Sequence, residues 1–112
     1  MEPRQPSPRY RWRKTWPAEA DRDSWKADFQ GWDGDIQVGR IRYEANGPKK
    51  GFWQWNGHGP VHLPRGRLSP QQGYELDPRV AAVKAEDYYD RLMAHNGLPT
   101  GVGHSASRSR AL

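Results

Sequence analysis

The stretch SWKADFQGWDGDIQVGRIRYE, Ser24 to Glu44, decides the fold, because two runs of alternating side chains flank a short polar turn. In the first run Trp25, Ala27 and Phe29 alternate with Lys26, Asp28 and Gln30, the period of a half-buried strand. Asp33-Gly34 supplies residues that tolerate positive φ, as a two-residue type I′ hairpin turn requires. With Trp32 opposite Asp35, Phe29 falls opposite Val38 and Gly31 opposite Ile36, so the apolar side chains share a face. Continued unchanged, that register would aim Arg40 and Arg42 into the core. The apolar positions of VGRIRYE change parity across Gly39-Arg40, from Ile36 and Val38 to Ile41 and Tyr43. This predicts a β-bulge there, with Gly39 at positive φ, Asp28 facing both Gly39 and Arg40, and pairs Ala27–Ile41 and Trp25–Tyr43 beyond it.

A looser turn, ANGPKKG, leads into GFWQWNGHGP, Gly51 to Pro60. Trp53 and Trp55 form the more apolar side of this third strand, and a register with Tyr43 beside Trp53 and Ile41 beside Trp55 continues the same surface. The tryptophans read as core, since large aromatics supply most of the burial a small domain can obtain. DPRVAAVKAEDYYDRLMAHNG then predicts a helix, with Asp77 as N-cap, Pro78 at the first helical position and Asn96-Gly97 as the stop. Ala81, Ala82, Ala85, Tyr88, Tyr89, Leu92 and Met93 form one arc, with Lys84, Glu86, Asp87, Asp90 and Arg91 outside it. The expected fold class is α+β, a three-stranded antiparallel β-meander with one C-terminal helix across its tryptophan face.

A chain of 112 residues fits one domain. Residues 23–97 are expected to form it, between a Pro/Arg-rich disordered tail over 1–22 and a second disordered tail over 98–112. The formal net charge of +5 resides in those tails, because residues 23–97 carry ten basic and ten acidic residues. With no cysteine, disulfides, thiolate metal sites and cysteine nucleophiles are excluded. No secretory signal or membrane-length apolar run is present, so a cytoplasmic protein without membrane contact is expected.

The GDIQVGRI strand, the glycine turn after it, the FWQW strand and the amphipathic C-terminal helix resemble a group of short α-proteobacterial proteins of no assigned function. The resemblance covers roughly residues 25–95 and implies a ββ-β-α arrangement without an activity. No site residue is carried over from it.

His58 and His62 are four apart in HGPVH, but the neighbouring glycines and Pro60 argue against the helix that would present both to one metal. No catalytic constellation and no cofactor are implied, and a non-enzymatic interaction module is expected, binding a protein partner or a second copy of itself. Nucleic acid is the alternative. Its candidate surface is the outer sheet face, where Lys26, Arg42 and Gln54 should be neighbours with Arg40, Lys49, Lys50, Arg65 and Arg67 nearby. Its second element is the tail segment RYRWRK with the arginine before it: Arg9, Arg11, Arg13 and Lys14 would pair phosphates while Tyr10 and Trp12 stack on bases.

Overall fold

The computed structural model of the protein describes residues 7–15 and 28–101. Among them the elements run β1 (Arg11–Lys14), β2 (Asp28–Asp33), β3 (Ile36–Tyr43), β4 (Trp53–Gly57), β5 (Gln72–Glu75) and α1 (Pro78–His95). All neighbouring strands pair antiparallel, in the sheet order β1-β2-β3-β4-β5. The class is α+β as expected, but the sheet has five strands rather than three.

Both added strands lie where no strand was expected. β1 comes from the presumed N-terminal tail, and Tyr10 beside it is buried. Its Tyr10/Trp12 alternation is a strand period hidden among four cations and flanking prolines. β5 comes from the loop before the helix. Its inward residue Gly73 has no side chain to advertise burial; the indole of Trp55 lies over it instead, 2.6 Å from where a Cβ would stand. Trp12 covers Gly31 of β2 in the same way. Each indole thus supplies the packing its glycine neighbour lacks.

The β2–β3 hairpin forms with a different register. Asp33 pairs with Ile36, so the turn residues are Gly34 and Asp35, with positive φ at Gly34 alone. Positive φ at the first position only is incompatible with type I′ and fits the glycine placement of type II′. The bulge is present, but Val38 is the extra residue, facing the step between Gly31 and Trp32. Phe29, rather than Ala27, then faces Ile41, and Trp25 and Ala27 lie outside the described residues. Parity alone located a bulge somewhere between Val38 and Ile41; the turn, shifted by one residue, fixed which position carries it. Across β3 and β4 the expected register holds, with Ile41 opposite Trp55 and Tyr43 opposite Trp53.

The helix begins at Pro78, capped by the Asp77 side chain on the Arg79 amide at 2.8 Å, and ends at Asn96 with Gly97 at φ 68°. All seven residues of the expected arc are buried. It packs on the sheet because two glycines let it approach: Gly39 and Gly57 pair across β3 and β4, under Ala85 and Tyr88. Gly39 does not have the positive φ expected of it. Its constraint is space, since an added Cβ would lie 2.6 Å from the Asn56 carbonyl oxygen and 2.7 Å from the Ala85 Cβ.

Glu86 was placed outside the arc, yet it is fully buried. Its carboxylate takes the Arg9 and Tyr10 amides at 2.9–3.0 Å and the Trp12 indole N–H at 2.9 Å. Those amides precede β1 and have no partner in the sheet ladder, so the carboxylate replaces a strand for them. Tyr10 adds a bond to Asp90 at 2.7 Å and an edge-to-face contact with Tyr89. Arg9, Tyr10 and Trp12 are therefore bonded to α1 and residues 11–14 paired with β2, so this segment does not form a tail. At the other end Leu98 packs beside Met93 and Tyr89, and the Gly101 amide reaches Asp33; the rest of the expected C-terminal tail lies outside the described residues.

Candidate nucleic-acid interface

Strand registers decide which side chains share the face opposite α1. Trp12, Phe29, Ile41 and Trp55 point to the helix. Cross-strand partners share a face, so the alternate residues form rows on the outer side. One row runs Arg13–Gln30–Arg40–Asn56–Gln72, the next Asp28–Arg42–Gln54–Tyr74, and at the turn end Arg11 faces Trp32 with Gln37 beyond. At about 4.8 Å per strand the first row spans about 19 Å. Four arginines and five amides thus occupy one surface. Asp28 is the acid within these rows, and Arg40 meets it with Nε at 2.9 Å and Nη2 at 2.6 Å. That bidentate contact raises the Arg40 pKa further above its ordinary value. Arg42 is exposed, and its Nη2 donates to Gln54 Oε1 at 2.8 Å.

Aromatic rings stand at the margins of the face. Lys49 in the β3–β4 turn holds its ammonium 5.0 Å from the Tyr74 ring centroid and 5.7 Å from that of Phe52. Glu44 follows β3 beside Phe52, its amide donating to the Phe52 carbonyl. At the opposite end of β4, His58 donates its backbone N–H to Val38 O, and its ring is half-buried. Burial, followed by the charges of Arg67 and Arg40, lowers the His58 pKa below the ordinary histidine value.

No family model, curated protein or solved structure matches the chain. The geometry of the face is then what bears on function.

Of the candidates read from sequence, Arg40, Arg42 and Gln54 are brought together, with Lys49 at the rim and Arg67 near His58. Lys50 is exposed in the same turn as Lys49, its amide bonded to Gly47 O. Lys26 lies outside the described residues. Arg65 does not belong to the face: Asn96 accepts its amide, and its guanidinium donates to His95 O at the C-terminus of α1.

The N-terminal candidates divide by parity. Arg11 and Arg13 join the outer face, whereas Tyr10 and Trp12 point to the helix side, away from those arginines. Arg9 is occupied by Glu86, Asp87 and Asp90. Lys14 pairs with Phe29 in the ladder and shares the inward parity of Trp12. The sequence reading missed Gln30, Trp32, Asn56, Gln72, Tyr74 and His58 as members of the face. Their alternation in β2 and β4 was legible, but their company with Arg11 and Arg13 required β1 to be recognised as a strand.

Opposite this face, an open apolar groove of about 320 Å³ lies between the sheet and the start of α1, lined by Pro8, Trp12, Phe29, Ile41, Pro78 and Ala82. Its walls are mostly apolar, with Tyr10 and Arg79 completing the lining. No group of three or more His, Cys, Asp or Glu side chains is set to hold a metal ion among the described residues, and no described helix is long and apolar enough to cross a membrane.

Proposed function

We propose that the protein binds single-stranded nucleic acid on the outer face of its sheet. The observation that carries this reading is the strand register, which gathers Arg11, Arg13, Arg40 and Arg42 with a continuous set of amide side chains on one side of the sheet. Guanidinium groups pair phosphates through fixed donor forks, and Gln30, Gln54, Asn56 and Gln72 offer both donors and acceptors to base edges. Phe52, Tyr74 and Trp32 are the stacking surfaces, with Lys49 holding the first two until a base displaces it. A duplex fits less well, since an open sheet face presents no element to a groove.

The test is fluorescence anisotropy of a labelled single-stranded oligonucleotide across a salt series. Log affinity should fall linearly with log salt, with a slope of about −0.7 per phosphate neutralised. Replacing Arg13 and Arg42 together by Ala should weaken binding and flatten that slope by roughly 1.4. Binding weaker than about 10⁻⁴ M at physiological salt, or a double variant that binds as wild type, removes the reading. Deleting residues 1–22 is an unsuitable test, because it takes β1 from the sheet.

A second reading, association with a protein partner or a second copy, is favoured by Leu76, which stands 69% exposed directly after edge strand β5. Solution mass measured across concentrations distinguishes it: a mass independent of concentration removes self-association.

A further inference from the structure

We propose that Arg40, His58 and Arg67 form a phosphate subsite at the Gly57 end of the outer face, whose occupancy is coupled to protonation of His58. The subsite rests on the nucleic-acid reading for its natural ligand, though its chemistry is that of phosphate itself.

The geometry starts from parity. Gln54 and Asn56 face outward from β4, and His58 continues that alternation one step past the strand end. Arg40 stands opposite Asn56 on β3, one residue pair away. Arg67 arrives from the loop before β5, which is held close because Gly57 and Gln71 exchange two hydrogen bonds, the Gly57 amide to Gln71 O at 2.8 Å and Gln71 Nε2 to Gly57 O at 3.1 Å.

Three donor groups there lack a partner among the described residues. Neither ring nitrogen of His58 makes a hydrogen bond, although the ring is half-buried; Arg67 makes none; and Arg40 commits Nε and Nη2 to Asp28 while Nη1 remains. The ring nitrogens of His58 are open to solvent rather than buried without a partner, so an anion arriving between the imidazole and the two guanidinium groups can reach them.

The charged groups facing His58 are Arg40 from β3 and Arg67 from the loop, and Asp28 on β2 is already engaged by Arg40. Burial and the two cations lower the His58 pKa below the ordinary histidine value, so the free protein disfavours the charged imidazole. A phosphate seated among the three groups reverses the local charge. His58 then takes a proton from solvent at one ring nitrogen and donates a charged hydrogen bond. The sign of the linkage follows: the ligand raises the His58 midpoint, so affinity increases as pH falls through the interval between the free and bound midpoints. The gain is about tenfold for each unit by which the midpoint rises.

The experiment is an NMR titration of the histidine side chains in the full chain against pH, alone and with inorganic pyrophosphate, paired with oligonucleotide anisotropy at pH 5.5 and 7.5. His62 and His95, both exposed, are internal references. The expected result is a rise in the His58 midpoint with pyrophosphate while His62 and His95 stay in place. Oligonucleotide binding should also be tighter at pH 5.5, a gain abolished in His58→Gln and reduced in Arg67→Ala.

Arg67 is exposed, so Arg67→Ala keeps the fold and tests the subsite even where His58→Gln perturbs it. An unmoved His58 midpoint, or a pH gain that survives in both variants, overturns the subsite. If the oligonucleotide binds while pyrophosphate leaves His58 unmoved, the face reading stands and the subsite fails. If pyrophosphate moves His58 and no oligonucleotide binds, the subsite stands and nucleic acid is not its ligand.

Discussion

Replacing Glu86 by Gln should destabilise the fold by about 3 kcal/mol while keeping the shape of the side chain. Glu86 is fully buried, and Oε2 alone accepts from the Arg9 amide at 3.0 Å, the Tyr10 amide at 2.9 Å and the Trp12 indole at 2.9 Å. A hydrogen bond to a charged group contributes about 1.5–3 kcal/mol and a neutral one about 0.5–1.5, so each of three bonds loses roughly 1 kcal/mol. The amide NH2 of Gln also turns a donor toward the Arg9 N–H, which now reaches both oxygens. The ion pair with Arg9, 3.5 Å away and on a side chain 42% exposed, adds little to that figure because water screens it.

For a domain of this size the loss corresponds to a fall in Tm of more than about 10 °C. Urea unfolding measures it, and the Trp12 indole N–H resonance reports whether β1 stays seated. Asp87→Asn is the control. Asp87 pairs with the same arginine at 3.1 Å, but its side chain is 53% exposed, so its loss should stay below about 1 kcal/mol. If Glu86→Gln unfolds at the wild-type urea concentration with the Trp12 resonance unmoved, the carboxylate does not hold β1. The arginines of that strand would then lose their anchor on the face.

Gly39→Ala should cost more than a strand glycine ordinarily does, because the added methyl meets the Asn56 carbonyl and the Ala85 methyl; a thermal midpoint equal to wild type would show that α1 can lift without penalty. Trp55→Ala, at a position 6% exposed, should lose about 3–5 kcal/mol, and Phe52→Ala on the outer side clearly less, both read from urea midpoints. The lowered pKa of His58 makes the folded state bind this proton less readily than the unfolded chain. Its contribution is intact above the ordinary histidine value of about 6.5 and is lost as pH falls below it. His58→Gln should therefore lessen the drop in urea midpoint between pH 7.5 and pH 5.

Local signals carried much of this fold. The helix limits, from the Asp77 cap and Pro78 to Asn96-Gly97, follow from chemistry within one turn, and the arc from Ala81 to Met93 is a property of spacing alone. The pairing of Ile41 with Trp55 and Tyr43 with Trp53 was likewise legible, because apolar residues can share one face there in few ways. The tertiary structure decided the features that depend on residues distant in the chain. Glu86 lies among charged residues on its own helix and is buried only because the Arg9 and Tyr10 amides, more than seventy positions away, need an acceptor. β1 is a strand because that carboxylate and Gly31 receive it, and β5 because Trp55 fills the place of a side chain that Gly73 lacks. The outer face follows the same logic. Arg42 and Gln54 could be paired from the hairpin register, whereas bringing Arg11, Arg13 and Trp32 to the same surface required β1 to add its edge, a long-range pairing that no local period encodes.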